Sequence, residues 1–171
     1  GYVAATYLRG IPYAQVPTSL TAQVDSSIGG KVGVDLKEGK NLIGAFYQPR
    51  FVSSDISFLK TLPTRELLCG LGEVVKYGVI SDPELFEKLG SQRDKILQKD
   101  PGALYEIVRS SARIKADVIS QDERETTGVR RTLNFGHTFG HALERLTGYR
   151  RFSHGEAVAI GMVIAARLSG L

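Results

Sequence analysis

The chain has 171 residues, 42% hydrophobic and 23% charged, with 22 basic residues against 18 acidic ones and a formal charge of +4. A chain of that length makes one ordinary domain or parts of two and buries roughly 70% of its unfolded surface, and the composition excludes a disordered or collagen-like chain. No run of five like charges and no zinc-finger, KH or RNP pattern accompanies the excess of cations, so a small anionic substrate fits better than nucleic acid.

The chain opens Gly1-Tyr2-Val3 without an initiator methionine and stops at Ser169-Gly170-Leu171, directly after an apolar run, so both ends read as interior to a longer protein. Ile11 to Pro17 reads as an extended segment between proline-containing turns. Val32-Gly33-Val34 and Asn41 to Phe46 read as strands flanking the turn Lys37-Glu38-Gly39-Lys40, with Phe51 to Ser54 a further strand. From Pro63 the pattern turns helical. Thr64 is placed to cap a helix from Arg65 to about Tyr77, ended by Gly78. Asp82-Pro83 opens a short amphipathic helix through Leu89, and Asp100-Pro101 opens a longer one carrying Leu104, Ile107, Val108, Ile114 and Val118 near helical spacing. Asp122 to Gly128 is a charged connector. A helix from about Phe135 to Leu146 ends at Gly148, and Ser153 caps a last one. Its run from Ala157 to Ala166 is apolar nearly all round, which predicts burial, and it is too short for a bilayer, which needs about 20 apolar residues.

Cys69 is the single cysteine, so no internal disulfide is possible; it sits among apolar residues and reads as a buried thiol in a reducing, cytoplasmic setting. The three histidines, His137, His141 and His154, fall within 18 positions. The first two stand four apart, which puts both imidazoles on one helix face. Imidazole suits zinc and related cations, and a carboxylate commonly completes a three-ligand site. Asp25, Glu73, Glu144 and Glu156 are the carboxylate candidates, and spacing alone does not choose among them or among the histidines. HExxH is absent, so a zincin-type protease is not supported. Gly29-Gly30-Lys31 and Gly39-Lys40-Asn41 each set a lysine after a flexible turn, where an ammonium reaches an anion, although neither forms a Walker A loop. Glu73 and Lys76 stand i, i+3 in an apolar helical stretch, where buried charges need a partner.

Read together, these segments resemble the 3-dehydroquinate synthases. The resemblance is carried by Tyr7-Leu8-Arg9-Gly10, Pro17-Thr18-Ser19-Leu20, Gln23-Val24-Asp25-Ser26-Ser27-Ile28-Gly29-Gly30-Lys31 and Gly39-Lys40-Asn41-Leu42-Ile43-Gly44. It continues through Thr61-Leu62-Pro63-Thr64-Arg65-Glu66, Gly72-Glu73-Val74-Val75-Lys76-Tyr77-Gly78, Leu133-Asn134-Phe135-Gly136-His137-Thr138-Phe139-Gly140-His141 and His154-Gly155-Glu156. Any one block is weak, whereas the order and spacing of all of them are specific. The resemblance implies an α/β plus α fold: the end of an NAD-binding α/β domain over residues 1–62, then a mostly helical metal and substrate domain over 63–171.

For function the resemblance implies a shikimate-pathway carbon–oxygen lyase that converts 3-deoxy-arabino-heptulosonate 7-phosphate to 3-dehydroquinate and phosphate with NAD and a divalent metal, zinc or cobalt. It implies Glu73, His137 and His154 as metal ligands and Asp25, Lys76 and His141 as catalytic groups. Lys115 and Arg130 would face the substrate carboxylate, while Lys31, Asn41, Asn134 and His141 would face its phosphate. Arg9 would reach the phosphate of a neighbouring subunit in a homodimer. Thr18, Ser19, Lys31, Lys40, Phe58, Leu59, Lys60 and Thr61 match nucleotide-contact positions, with Asp25 and Glu66 as further candidates. No membrane and no nucleic-acid partner is implied. The family usually has Ala-Gly-Leu-Ala before the ligand glutamate where this chain has Cys69-Gly70-Leu71-Gly72, small for small. The family's glycine-rich dinucleotide loop and its C-terminal helical region, with another substrate-contacting lysine, lie outside the match. A related sugar-phosphate cyclase such as 2-deoxy-scyllo-inosose synthase is the alternative within the class, and a catalytically inert fragment or interaction module the alternative outside it.

Overall fold

A computed structural model of the protein describes residues 1–37 and 39–170, and it leaves the side chains of Lys40 and Asn41 outside the description. The first part is built from short pieces. Helix α1 (Tyr2–Thr6) runs into a 3₁₀ turn over Tyr7–Arg9, where Leu8 and Arg9 take φ of 47° and 64°. Strand β1 (Ala14–Gln15) leads to a π-helical turn over Ala22–Ser26. Strands β2 (Lys31–Leu36) and β3 (Gly39–Phe46) form an antiparallel hairpin with Lys31 opposite Phe46, Gly33 opposite Gly44 and a register shift between Val34 and Leu36. Strand β4 (Phe51–Val52) returns in parallel beside β1, pairing Phe51 with Ala14. The extended segments expected over Ile11–Pro17 and Phe51–Ser54 thus shrink to two paired residues each.

The rest is helical: α2 (Thr64–Ser81), α3 (Pro83–Ser91), α4 (Arg93–Leu97), α5 (Pro101–Gln121), α6 (His137–Leu146) and α7 (His154–Leu168), with 3₁₀ turns over Ile56–Thr61 and Val129–Asn134. The expected aspartate caps form: Asp82 accepts from Leu85 N at 3.0 Å and Asp100 from Ala103 N at 2.9 Å, each followed by proline at the first helical position. Three sequence expectations need correction. Thr64 makes no cap, and α2 starts directly after Pro63. Gly78 does not end α2; it lies against α3, where an added Cβ would stand 3.0 Å from the Phe86 backbone, so its smallness serves helix packing. Helix α7 is not buried all round, since Ile160, Val163, Ile164 and Leu168 are 38–73% exposed. No helix among the described residues is long and apolar enough to cross a membrane.

Leu20, Val24 and Leu59 from the strand-rich part are fully buried in one apolar cluster with Leu67, Val74, Tyr77 and Leu104 from the helices. Two backbone-to-backbone helix contacts then fix the site. A Cβ on Gly155 would stand 1.9 Å from Cys69 O, and one on Gly72 2.5 Å from Gly155 O, so α2 and the start of α7 meet without side chains between them. The Gly72 departure from the family pattern is therefore not spatially neutral here. At the second crossing a Cβ on Gly161 would meet Gly136 O at 2.1 Å, which presses the start of α6 onto α7.

Candidate metal and substrate centre

The glycine contacts place Glu73, one residue beyond Gly72, against His154, one residue before Gly155, and the Gly136–Gly161 contact adds His137. Glu73 is 1% exposed. Its Oε2 accepts from Lys76 Nζ, which is equally buried. Its Oε1 lies 3.2 Å from His154 Nε2 and 3.6 Å from His137 Nε2, yet has no partner in hydrogen-bond geometry. A buried carboxylate oxygen without a donor is costly, and here two ring nitrogens converge on it. Donor atoms of Glu73, His137 and His154 all lie within 4.8 Å of one another, so the three residues fit a divalent cation as a His₂–carboxylate set. The ring nitrogens facing away have acceptors: His137 Nδ1 lies 3.3 Å from Phe135 O and His154 Nδ1 3.4 Å from Glu144 Oε1. Without a cation, the Glu73 carboxylate 3.2 Å away, opposed by burial, raises the His154 pKa above the ordinary imidazole value. Burial lowers that of His137, with Glu73 working against it.

His141 stacks at 5.9 Å between ring centroids from His154 and stands edge-on to His137 at 5.3 Å, but it is exposed and does not belong to the donor group that contains Glu73. It forms a second possible donor group with Glu144 and His154. Glu156 is instead a capping residue: its Oε2 accepts from Ser153 N at 2.7 Å while Ser153 Oγ accepts from Glu156 N. Cys69 is buried as expected, its Sγ accepting from Gly155 N at 3.4 Å.

Beside the histidines a cleft of about 640 Å³ is lined by Asp25, Lys31, Lys115, Arg130 and the inner face of the hairpin, including Phe46. A smaller cavity of about 120 Å³ shares Asp25, Lys31, Lys115 and Arg130 with it and is further bounded by Lys76, Glu125, Asn134 and His137. Asp25 Oδ1 accepts from Tyr77 Oη at 2.7 Å and from Lys115 Nζ at 2.8 Å. Burial pushes the Asp25 carboxyl up, but Lys115 and then Lys76, with the two hydrogen bonds, outweigh it and hold the group well below the usual carboxylate range. Burial lowers the Lys115 pKa despite Asp25. Arg130 is 3% exposed and donates to Glu123 O at 2.7 Å and Gly29 O at 3.1 Å, its guanidinium standing 5.8 Å from the Phe46 ring centroid. Lys31 pairs with Glu125 at 2.5 Å. The cleft therefore presents ammonium and guanidinium groups beside a three-donor cation cage, an arrangement that holds an anionic, hydroxyl-bearing molecule.

Asp25, Lys31, Lys76, Lys115, Arg130, Asn134 and the three proposed ligands are thus brought together. Arg9 is exposed on its left-handed turn and lines neither part of the cleft. Thr18, Phe58, Lys60 and Thr61 are also exposed, and Ser19 Oγ accepts from Ala22 N at 3.3 Å. Leu59 is fully buried in the core, so its side chain packs there rather than meeting a nucleotide. Glu66 is exposed on the first turn of α2. Lys40 and Asn41, expected near nucleotide and phosphate, lie outside the described side chains. Sequence reasoning missed Tyr77, Glu125 and Asp122. Tyr77 adjoined the Glu73–Lys76 pair, and the charged connector held the other two, but no local pattern shows that Asp122 ties that connector. Its carboxylate is 3% exposed and accepts from the backbone N–H groups of Thr126, Thr127, Gly128 and Arg130 at 2.8–3.2 Å.

Known proteins are similar to this chain over nearly all of its length. A family model described as 3-dehydroquinate synthase N-terminal matches residues 1–69, and one described as 3-dehydroquinate synthase C-terminal matches residues 70–171. The 3-dehydroquinate synthase of Geotalea uraniireducens is 58% identical over 99% of this chain and 47% of its own length. Among solved structures, the 2-epi-5-epi-valiolone synthase of Streptomyces hygroscopicus subsp. jinggangensis, with NAD⁺ and Zn²⁺ bound, is 32% identical at a TM-score of 0.90 over 99% of this chain and 48% of its own. A 2-deoxy-scyllo-inosose synthase complexed with carbaglucose-6-phosphate, NAD⁺ and Co²⁺ is 34% identical at a TM-score of 0.86, over 99% of this chain and 46% of its own. The chain spans about half the length of the curated relatives it matches.

Proposed function

The chain belongs to the 3-dehydroquinate synthase family, and from that membership we propose that it carries the metal centre and most of the substrate cleft of an enzyme converting 3-deoxy-arabino-heptulosonate 7-phosphate to 3-dehydroquinate and phosphate. The observation that carries the reading is the His₂–carboxylate cage opening beside buried Lys76, Lys115 and Arg130. Residues 1–62 would close the NAD-binding domain and 63–171 form the metal and substrate domain.

Glu73, His137 and His154 would hold a zinc or cobalt ion, which supplies Lewis-acid polarisation of a substrate hydroxyl or carbonyl. NAD supplies a reversible hydride acceptor when bound; Thr18, Ser19, Lys31, Lys40, Phe58, Leu59, Lys60 and Thr61 remain its proposed contacts. Asp25 stays ionised between Lys115 and Tyr77 and so can accept a proton or hydrogen bond from a substrate hydroxyl at Oδ1 or Oδ2. Lys76 neutralises Glu73 and keeps that buried carboxylate fixed. Lys115 and Arg130 orient the carboxylate of the substrate, and Lys31, exchanging Glu125 for phosphate, orients the other end with Asn41, Asn134 and His141. Arg9 is proposed to reach a neighbouring subunit's substrate in a homodimer.

The likeness to 2-deoxy-scyllo-inosose synthase keeps a second cyclase reading in view; the buried pair Lys115 and Arg130 favours a substrate with a carboxylate. Turnover by the full-length protein tests both. Phosphate release from the heptulosonate phosphate is expected, and activity on glucose 6-phosphate alone overturns the assignment.

A further inference from the structure

His137, His141 and Glu144 stand at i, i+4 and i+7 on α6, a single stripe facing the start of α7. His154 is the only residue common to the two donor groups, one with Glu73 and His137, the other with His141 and Glu144. Its ring is clamped by carboxylates on both sides, Nε2 at 3.2 Å from Glu73 Oε1 and Nδ1 at 3.4 Å from Glu144 Oε1. A neutral imidazole has one N–H and one free lone pair. If Nε2 gives its lone pair to a cation held with Glu73 and His137, the proton must sit on Nδ1, where Glu144 faces it.

We propose that Glu144 is the positioning residue of the metal centre: it accepts the Nδ1–H of His154, fixes the ring and its tautomer, and does not itself ligate. His137 has the matching arrangement with a neutral acceptor, the Phe135 carbonyl at 3.3 Å. The two histidines therefore differ in kind. A carboxylate acceptor makes an imidazole the more basic ligand, and loss of such a partner typically weakens metal affinity about 10–100-fold. Glu144 is only 4% exposed although it is charged, a placement that a merely solvated helix face would not require. Its backbone carbonyl also accepts from Tyr149 N at 2.8 Å just past the end of α6.

The inference rests on the metal reading above, and Co²⁺ binding to the full-length protein separates the two. Affinity is measured against a competing chelator, stoichiometry by elemental analysis, and ligand field by the visible Co²⁺ absorption. Expected are one Co²⁺ per chain in the parent protein, none in His137→Ala, and one in both Glu144→Gln and Glu144→Ala. Affinity should fall about 10-fold in the first and up to about 100-fold in the second, with altered Co²⁺ bands and unchanged far-ultraviolet circular dichroism. Glu144→Gln keeps the shape and an acceptor oxygen, so it reports on charge even if the alanine variant folds poorly. Parent-like affinity and bands in Glu144→Gln and Glu144→Ala overturn the proposal. So does a parent protein that binds two Co²⁺ ions of which Glu144→Ala loses one, because Glu144 would then be a ligand. A parent protein that binds no Co²⁺ overturns the metal reading itself and this inference with it.

Discussion

Two aspartates do opposite work around the cleft. Asp25 exposes its charge to Lys115, Lys76 and Tyr77, whereas Asp122 spends both oxygens on four backbone N–H groups and so ties the connector that delivers Glu125 and Arg130. Desolvation pushes the Asp122 carboxyl up, but the bonds from Thr127, Arg130 and Thr126 prevail and bring it down to about 2. A depressed carboxylate pKa contributes stability above the unfolded value and loses it as pH falls through the folded one. The connector should therefore stay protected from hydrogen exchange at pH 5 and open as pH is lowered towards 2; in Asp122→Asn the amides of residues 126–130 should exchange faster already at pH 7. At the proposed metal centre, a cation would have to displace the proton that Glu73 stabilises on His154. Metal affinity should accordingly rise from pH 6 to pH 8, measured by chelator competition. His154→Ala should abolish bound metal and His141→Ala should retain it, by metal analysis of the purified variants.

At the scale of elements, the centre depends on helices approaching without side chains between them. Gly155→Ala would put a Cβ 1.9 Å from Cys69 O, which only a backbone shift relieves. Overpacking of this kind costs about 1–3 kcal/mol, and the shift would part Glu73 from His154. Thermal unfolding should show the destabilisation, and metal analysis the loss of metal. The aspartate caps of α3 and α5 were legible because a cap acts within three residues. The role of Gly78 was not, because its partner Phe86 belongs to another helix, and a glycine in a helix looks locally like a stop. The exposed side of α7 was unreadable for the same reason: apolar residues in sequence report what a helix prefers to bury, not which neighbours are present.

For the whole molecule, the strand-rich and helical parts share a core through Leu20, Val24 and Leu59. Leu20 is fully buried and lies against Gly70, where a Cβ would stand 2.6 Å away. Leu20→Ala should cost about 2–5 kcal/mol, and the Ala22–Ser26 turn and the helices should lose structure together when followed by denaturant titration with separate probes. A local side chain at the surface of two independent units would not couple them in this way.

Residue order alone carried the donor types, the clustered histidines, the glycine-flanked lysines, the helix caps and, through the spacing of many blocks, the family. These are properties of neighbours along the chain, where helical period and capping chemistry act. Spacing could not choose Glu73 over Glu144, Glu156 and Asp25 as the carboxylate beside the histidines; the resemblance supplied that choice, and the geometry gives each carboxylate a different task. Glu73 points a partnerless oxygen at two imidazoles, Glu144 stands behind one of them, Glu156 caps α7, and Asp25 joins Lys115 across the cleft. Only the tertiary structure could make that division, because it depends on glycine contacts between helices that begin about ninety residues apart in the chain, α2 at Thr64 and α7 at His154.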